Sequence, residues 1–85
     1  KTMGNKFLHK VVDQILSETI IDYDRKVIET PFRSYSFVVF FTPIYLLLSL
    51  FSDHCKEVYG LNEEEINYVW NEYKEIIISK IKNNG

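Results

Sequence analysis

The sequence predicts a single, mainly α-helical small domain over residues 1–85. Three observations support this fold class: an αα-hairpin pattern over about 43–59 and 63–82, an amphipathic helix that begins near residue 5, and a length of only 85 residues. A chain this short builds one hydrophobic core. Its composition is 46% hydrophobic and 15% aromatic, so we expect the N-terminal helix and the hairpin to share that core.

The N-terminal helix is predicted from apolar residues at helical spacing. One face carries Leu8, Val12, Ile15 and Leu16. The same stripe continues through Ile20, Tyr23 and Val27, which favours one helix that runs to about residue 28. The alternative is an α+β fold with a small β-sheet from residues 19–41, because "TIIDY", "VIET" and "YSFVVFF" are rich in β-branched and aromatic residues. Thr30-Pro31 ends either version, since the residue before proline avoids the helical region.

The first helix of the hairpin is predicted to begin at Thr42-Pro43. Threonine is a good N-cap, and proline at the first helical position loses no needed hydrogen bond. Five residues at steps of three and four form the predicted core stripe: Ile44, Leu48, Phe51, Cys55 and Val58. Gly60 follows where a left-handed residue would end the helix.

The second helix of the hairpin has a strong start signal. Asn62 is suited to cap it, and Glu65 is placed to reach back to the cap. Leu61 and Ile66 have the spacing of a hydrophobic staple. The predicted core stripe of this helix is Ile66, Val69, Trp70, Tyr73, Ile76, Ile77 and Ile81.

Residues 34–52 contain no charged residue and admit two interpretations. Nineteen helical residues extend about 28 Å, close to the roughly 30 Å of bilayer hydrocarbon. The alternative function is therefore a small membrane-associated protein anchored by residues 34–52. We favour a core element, because the stripes of the other two helices need apolar cover and no other segment supplies it.

An apolar surface is expected beyond what two flanking helices can cover. Such patches usually mark an interface. The predicted protein-interface residues are Phe32, Tyr35, Phe37, Phe40, Phe41, Tyr45, Leu46 and Leu50. We therefore expect a non-enzymatic protein-binding module that acts as a homo-oligomer, as a regulator or inhibitor docked on a larger protein, or as both.

The charge distribution argues against nucleic acid as the partner, because a net charge of −2 gives no basic footprint. Residues 53–75 are locally acidic, with seven carboxylates against Lys56 and Lys74. A solvated acidic face explains this in the simplest way, and attraction to a basic partner is the alternative.

Groups that carry catalytic or metal chemistry are few. "SDHCKE" places Asp53, His54 and Cys55 side by side, but neighbours on a helix do not face each other. Cys55 also lies on the predicted core stripe, where a thiol is normally inert. Histidine–carboxylate spacings occur twice, at His9/Asp13 and His54/Glu57, which barely supply one zinc site. We expect no enzyme activity, no metal and no cofactor. A single cysteine and no secretory signal favour a cytoplasmic location.

Overall fold

The computed structural model describes residues 5–37 and 44–84. Those residues form three helices and one small sheet, so the mainly α-helical prediction is confirmed and the small sheet of the alternative is present. The elements in chain order are α1 (Asn5–Ser17), β1 (Ile20–Asp22), β2 (Val27–Glu29), β3 (Ser34–Ser36), α2 (Ile44–Tyr59) and α3 (Glu63–Asn84).

Helix α1 ends at Ser17, so the expectation of one helix to about residue 28 is wrong. Two hydroxyl groups bond to carbonyls of its last turn: Ser17 Oγ donates to the carbonyl of Gln14, and Thr19 Oγ1 donates to that of Ile15, both at 2.7 Å. Such local side-chain bonds compete with helix continuation. The β-branched residues that follow then pair as strands instead.

The sheet is an antiparallel meander in the order β1-β2-β3. Its central row aligns Ile21, Ile28 and Tyr35 across the three strands. Ile28 and Tyr35 are buried in the core, whereas Ile20, which precedes Ile21 in β1, is 61% exposed. This alternation follows from the two-residue period of a strand, which directs one face of the sheet to the helices.

The β1–β2 turn spans Tyr23 to Lys26 and contains no glycine. The Asp22 carboxylate accepts a hydrogen bond from the backbone N–H of Arg25 at 3.0 Å. Lys26 has a φ of 57°, the left-handed region. The hairpin lacks the usual sequence signal because this left-handed position, where glycine or asparagine is common, carries a lysine. Lysine rarely adopts that conformation.

The turn between α2 and α3 follows the sequence prediction closely. Gly60 has a φ of 64°, and its N–H donates to the carbonyl of Lys56 at 3.2 Å. Asn62 Oδ1 accepts from the N–H of Glu65, and Glu65 Oε1 accepts from the N–H of Asn62, each at 2.8 Å. This reciprocal pair is the predicted capping box. Leu61 and Ile66, the predicted staple, are both buried in the core.

The core centres on Phe51, which is fully buried. Its ring centroid lies 5.0 Å from that of Trp70 and 5.4 Å from that of Tyr73. The core stripe of α2 is rotated from the predicted one: Leu47 is 2% exposed, whereas Val58 is 58% exposed. Val58 was expected in the core, and that assignment is wrong because Leu47, Phe51 and Cys55 already fill the contact with α3 at a spacing of four residues.

The charge-free stretch 34–52 is not one helix, because it begins with β3 and ends within α2. The predicted cap at Thr42-Pro43 lies outside the described residues. Within 5–37 and 44–84, every helix is too short or too polar to cross a membrane.

Replacing the cap residue of α3 tests the capping box. Asn62→Ala leaves the N–H of Glu65 without its acceptor, and we expect a loss of roughly 0.5–2 kcal/mol in the free energy of unfolding. Urea titration measures it. The matched control is Asn71→Ala, which changes an exposed position inside the same helix and should be neutral or slightly stabilising. Equal effects from the two variants would contradict the capping box.

Replacing Lys26 with glycine tests the left-handed turn. The left-handed conformation costs a non-glycine residue about 1–2 kcal/mol. Glycine escapes this cost but loses about 0.5–1 kcal/mol in backbone entropy. Lys26→Gly should therefore leave stability unchanged or raise it by up to about 1.5 kcal/mol. Arg25→Gly, at the exposed neighbour without positive φ, should lower it. Thermal denaturation of both variants checks the order, and a larger loss for Lys26→Gly would refute the turn.

Candidate protein-binding surface

One cleft of about 240 Å³ lies between α2 and the β2–β3 loop. Helix α2 contributes one face at the spacing i, i+3, i+4 and i+7, and the β2–β3 loop contributes two residues. We call it the α2 cleft, and its lining residues are Pro31, Phe32, Leu50, Asp53, His54 and Glu57.

The β2–β3 loop is fixed by the side chain of Thr30. Its hydroxyl oxygen accepts hydrogen bonds from the backbone N–H of Phe32 at 3.2 Å and of Arg33 at 2.8 Å. The backbone N–H of Thr30 also donates to the carbonyl of Arg33 at 3.1 Å. A threonine that satisfies its own turn in this way holds Pro31 and Phe32 at the cleft.

Aromatic contacts join the loop to α2. The Phe32 ring meets Phe51 edge-on, with centroids 5.6 Å apart at an angle of 89°. It also lies 5.8 Å from the His54 ring, at 47°. The His54 ring also contacts that of Tyr59, with centroids 5.9 Å apart at 74°. Edge-to-face pairs at these separations are favourable, so the wall of the cleft is anchored on the core.

The polar groups of the cleft are unevenly satisfied. Asp53 and Glu57 are exposed, and within residues 5–37 and 44–84 neither carboxylate has an ion pair or hydrogen bond. His54 Nε2 is buried and has no hydrogen-bond partner among the described groups. A buried polar atom without a partner costs about 1–3 kcal/mol, so this ring is a locally unfavourable element of the wall.

Two predicted interface residues, Phe32 and Leu50, line the α2 cleft, and both are partly exposed. A third, Phe37, is partly exposed and packs edge-on against Tyr23, with centroids 6.3 Å apart. Phe40 and Phe41 lie outside the described residues. Tyr45 and Leu46 belong to α2, and their side chains are also outside the description.

Tyr35 was predicted at the interface, but the structure places it in the core, where it is 7% exposed. Burial, and then the neighbouring Tyr73, raise its pKa above the usual range. Tyr73 in turn shares a 2.9 Å hydrogen bond with Thr19. Tyr35 therefore ties β3 to α3 and offers no contact surface.

Pro31, Asp53, His54 and Glu57 were not predicted as part of the surface. The sequence does contain a signal for the three α2 residues, since Asp53, His54 and Glu57 share the spacing of one helix face with Leu50. The sequence shows the spacing of His54 and Glu57 but not the loop that covers them. The contact of Phe32 with this face is a tertiary feature that spacing does not encode.

The other chemical candidates have structural roles. Cys55 is fully buried, and burial raises its pKa to about 12. His9 Nε2 and the Tyr68 hydroxyl form a 2.7 Å hydrogen bond that links α1 to α3. No group of three or more metal-ligating side chains occurs in the part of the chain that is described.

A second cleft, of about 310 Å³, lies between α2 and α3. Its walls carry both signs of charge, with Lys56 opposite to Asp53 and Glu63 in sign. This lining shows no preference for one class of partner, in contrast to the α2 cleft, where only carboxylates are charged.

No protein-family model, curated protein or solved structure matches this chain.

The buried thiol of Cys55 predicts a pH dependence of stability. Its pKa rises from 9.0 to about 12 on folding, so between these values the folded chain keeps a proton that the unfolded chain releases. The contribution of this thiol to the free energy of unfolding is therefore fully present below pH 9. It falls as the pH rises above 9, by at most about 1.4 kcal/mol per pH unit for one group.

Urea unfolding at pH 7 to 11 measures this slope, with Cys55→Ala as the comparison. The variant should lose the part of the slope that begins near pH 9. It keeps the part above pH 10, which comes from the buried Tyr35 and Tyr73. Their pKa values are also raised, so the unfolded chain releases their protons before the folded chain does. Identical slopes for the two proteins would show that the thiol is not buried.

Proposed function

We propose that this chain is a non-enzymatic protein-binding module whose contact surface is the outer face of α2 together with the β2–β3 loop. The observation that carries the proposal is the α2 cleft, where Pro31, Phe32 and Leu50 remain at least partly exposed. Partly exposed apolar side chains gathered at one cleft are typical of interfaces.

The exposed residue Val58 extends this surface along α2. It lies four residues after His54, one helical turn along the same side, and is 58% exposed. An apolar side chain at the centre of an interface with charged residues at its rim is the usual anatomy of a protein contact. Asp53 and Glu57 supply such a rim beside Leu50.

A single contact surface of this kind allows two modes of action. The chain binds a second copy of itself, or docks on a larger protein as a regulator or inhibitor. Neither mode needs a catalytic group, and the buried Cys55 leaves the surface without a reactive thiol. A cytoplasmic location belongs to the same proposal.

Leu50→Glu tests the proposal. Burying a leucine side chain contributes about 1.5–3 kcal/mol, so its replacement by a charge should weaken association tenfold or more. Light scattering coupled to size exclusion in detergent-free buffer measures self-association against the 10.1 kDa of one chain. Affinity capture from a native extract measures docking on another protein, as enrichment by the wild type over Leu50→Glu.

Ser49→Glu is the matched control, because it adds the same charge at the exposed neighbouring position and should leave association unchanged. Circular dichroism should show equal helix content for all three proteins. A monomeric wild type that enriches nothing over Leu50→Glu would refute the proposal. Recovery of the wild type only in detergent, or on lipid vesicles, would favour membrane association instead.

A further inference from the structure

We propose that the α2 cleft receives the side chain of an arginine presented by the partner protein. The inference rests on the proposed function and specifies the chemistry of the partner. It uses all six lining residues: two carboxylates for the guanidinium group, a wall of two touching rings for one of its flat faces, and two aliphatic residues for its stem.

The charge of the cleft selects a cation. Asp53 and Glu57 lie one helical turn apart, and neither has an ion pair in the described part of the chain. The lining of the α2 cleft contains no lysine or arginine. A guanidinium group presents several N–H donors in a planar fork that matches carboxylate oxygens.

The aromatic wall selects arginine over lysine. Phe32 and His54 stand with centroids 5.8 Å apart at 47°, so they form an angled corner. A guanidinium group stacks on aromatic faces, whereas an ammonium group is compact and strongly hydrated. Pro31 and Leu50 provide apolar contact for the methylene stem, the usual way in which an arginine buries its length.

The size of the cleft suits one side chain. Its volume of about 240 Å³ is below the roughly 300–1,000 Å³ of small-molecule and cofactor sites. The larger cleft between α2 and α3 has no aromatic residue in its lining and already contains Lys56. Of these two clefts, the α2 cleft is the one that combines carboxylates with an aromatic corner.

The test uses three peptides that differ in one side chain: N-acetyl-Gly-X-Gly-amide with X as arginine, lysine or citrulline. Citrulline has nearly the shape of arginine but no charge. Each is titrated to millimolar concentration into the ¹⁵N-labelled full chain at low salt. We expect saturable amide shifts at Leu50, His54 and Glu57 with the arginine peptide, several-fold weaker binding of lysine, and no saturation with citrulline.

Two variants locate the binding. Glu57→Gln should weaken arginine binding several-fold, whereas Glu72→Gln, the same change at an exposed position of α3 that lines neither cleft, should not. Phe32→Leu should reduce the preference for arginine over lysine. Unchanged shifts away from the cleft verify folding, and if Phe32→Leu unfolds, the glutamate variants still decide the matter.

Three outcomes overturn the proposal: no saturable shift with the arginine peptide, equal binding of lysine or citrulline, or binding that survives Glu57→Gln unchanged. Association that depends on Leu50 and persists without arginine binding would refute this inference alone. Loss of both would refute the proposed function as well.

Discussion

The structure depends on the contacts of one buried ring, that of Phe51. Its neighbours come from both α3, through Trp70 and Tyr73, and the β2–β3 loop, through Phe32. Few residues are available for a core in a chain this short, so one aromatic side chain at the junction of three elements has a large share in holding them together. No disulfide supports the fold, since Cys55 is the single cysteine.

The surface follows from the same contact. When Leu47, Phe51 and Cys55 face α3, the residues Leu50, His54 and Glu57 lie on a different side of α2, because helix positions repeat every 3.6 residues. Asp53 lies between the two sides and lines both clefts. Phe32 then has two partners: its ring packs at nearly a right angle to that of Phe51 in the core and at a tilt to that of His54. The cleft is therefore built on the core by one loop residue, and the loop itself is set by the hydroxyl of Thr30. The proposed contact surface and the stability of the fold therefore both depend on Phe32.

Local signals predicted the parts of the fold that depend on local interactions. Asn62, Glu65 and Gly60 act on their own backbone within a few residues, so their sequence pattern was sufficient. The end of α1 was not predictable in this way, because the helical stripe continues past Ser17 and only the pairing of Ile21 with Ile28 shows that strands prevail. The rotation of α2, which buries Leu47 and exposes Val58, depends on where α3 lies. The structure places Phe32 and Leu50, two of the residues predicted at an interface, at one cleft, whereas alternation in "SYS" gave no sign that Tyr35 faces the core.

A double-mutant cycle between Phe32 and Phe51 tests most directly whether this ring contact joins the cleft to the core. Phe32→Leu, Phe51→Leu and the double variant are unfolded in urea, and the coupling is the difference between the double effect and the sum of the single effects. The account predicts a coupling of about 0.5–1.5 kcal/mol, the size expected for an edge-to-face aromatic pair. Additive effects within about 0.3 kcal/mol would contradict it, because Phe32 would then be positioned independently of Phe51.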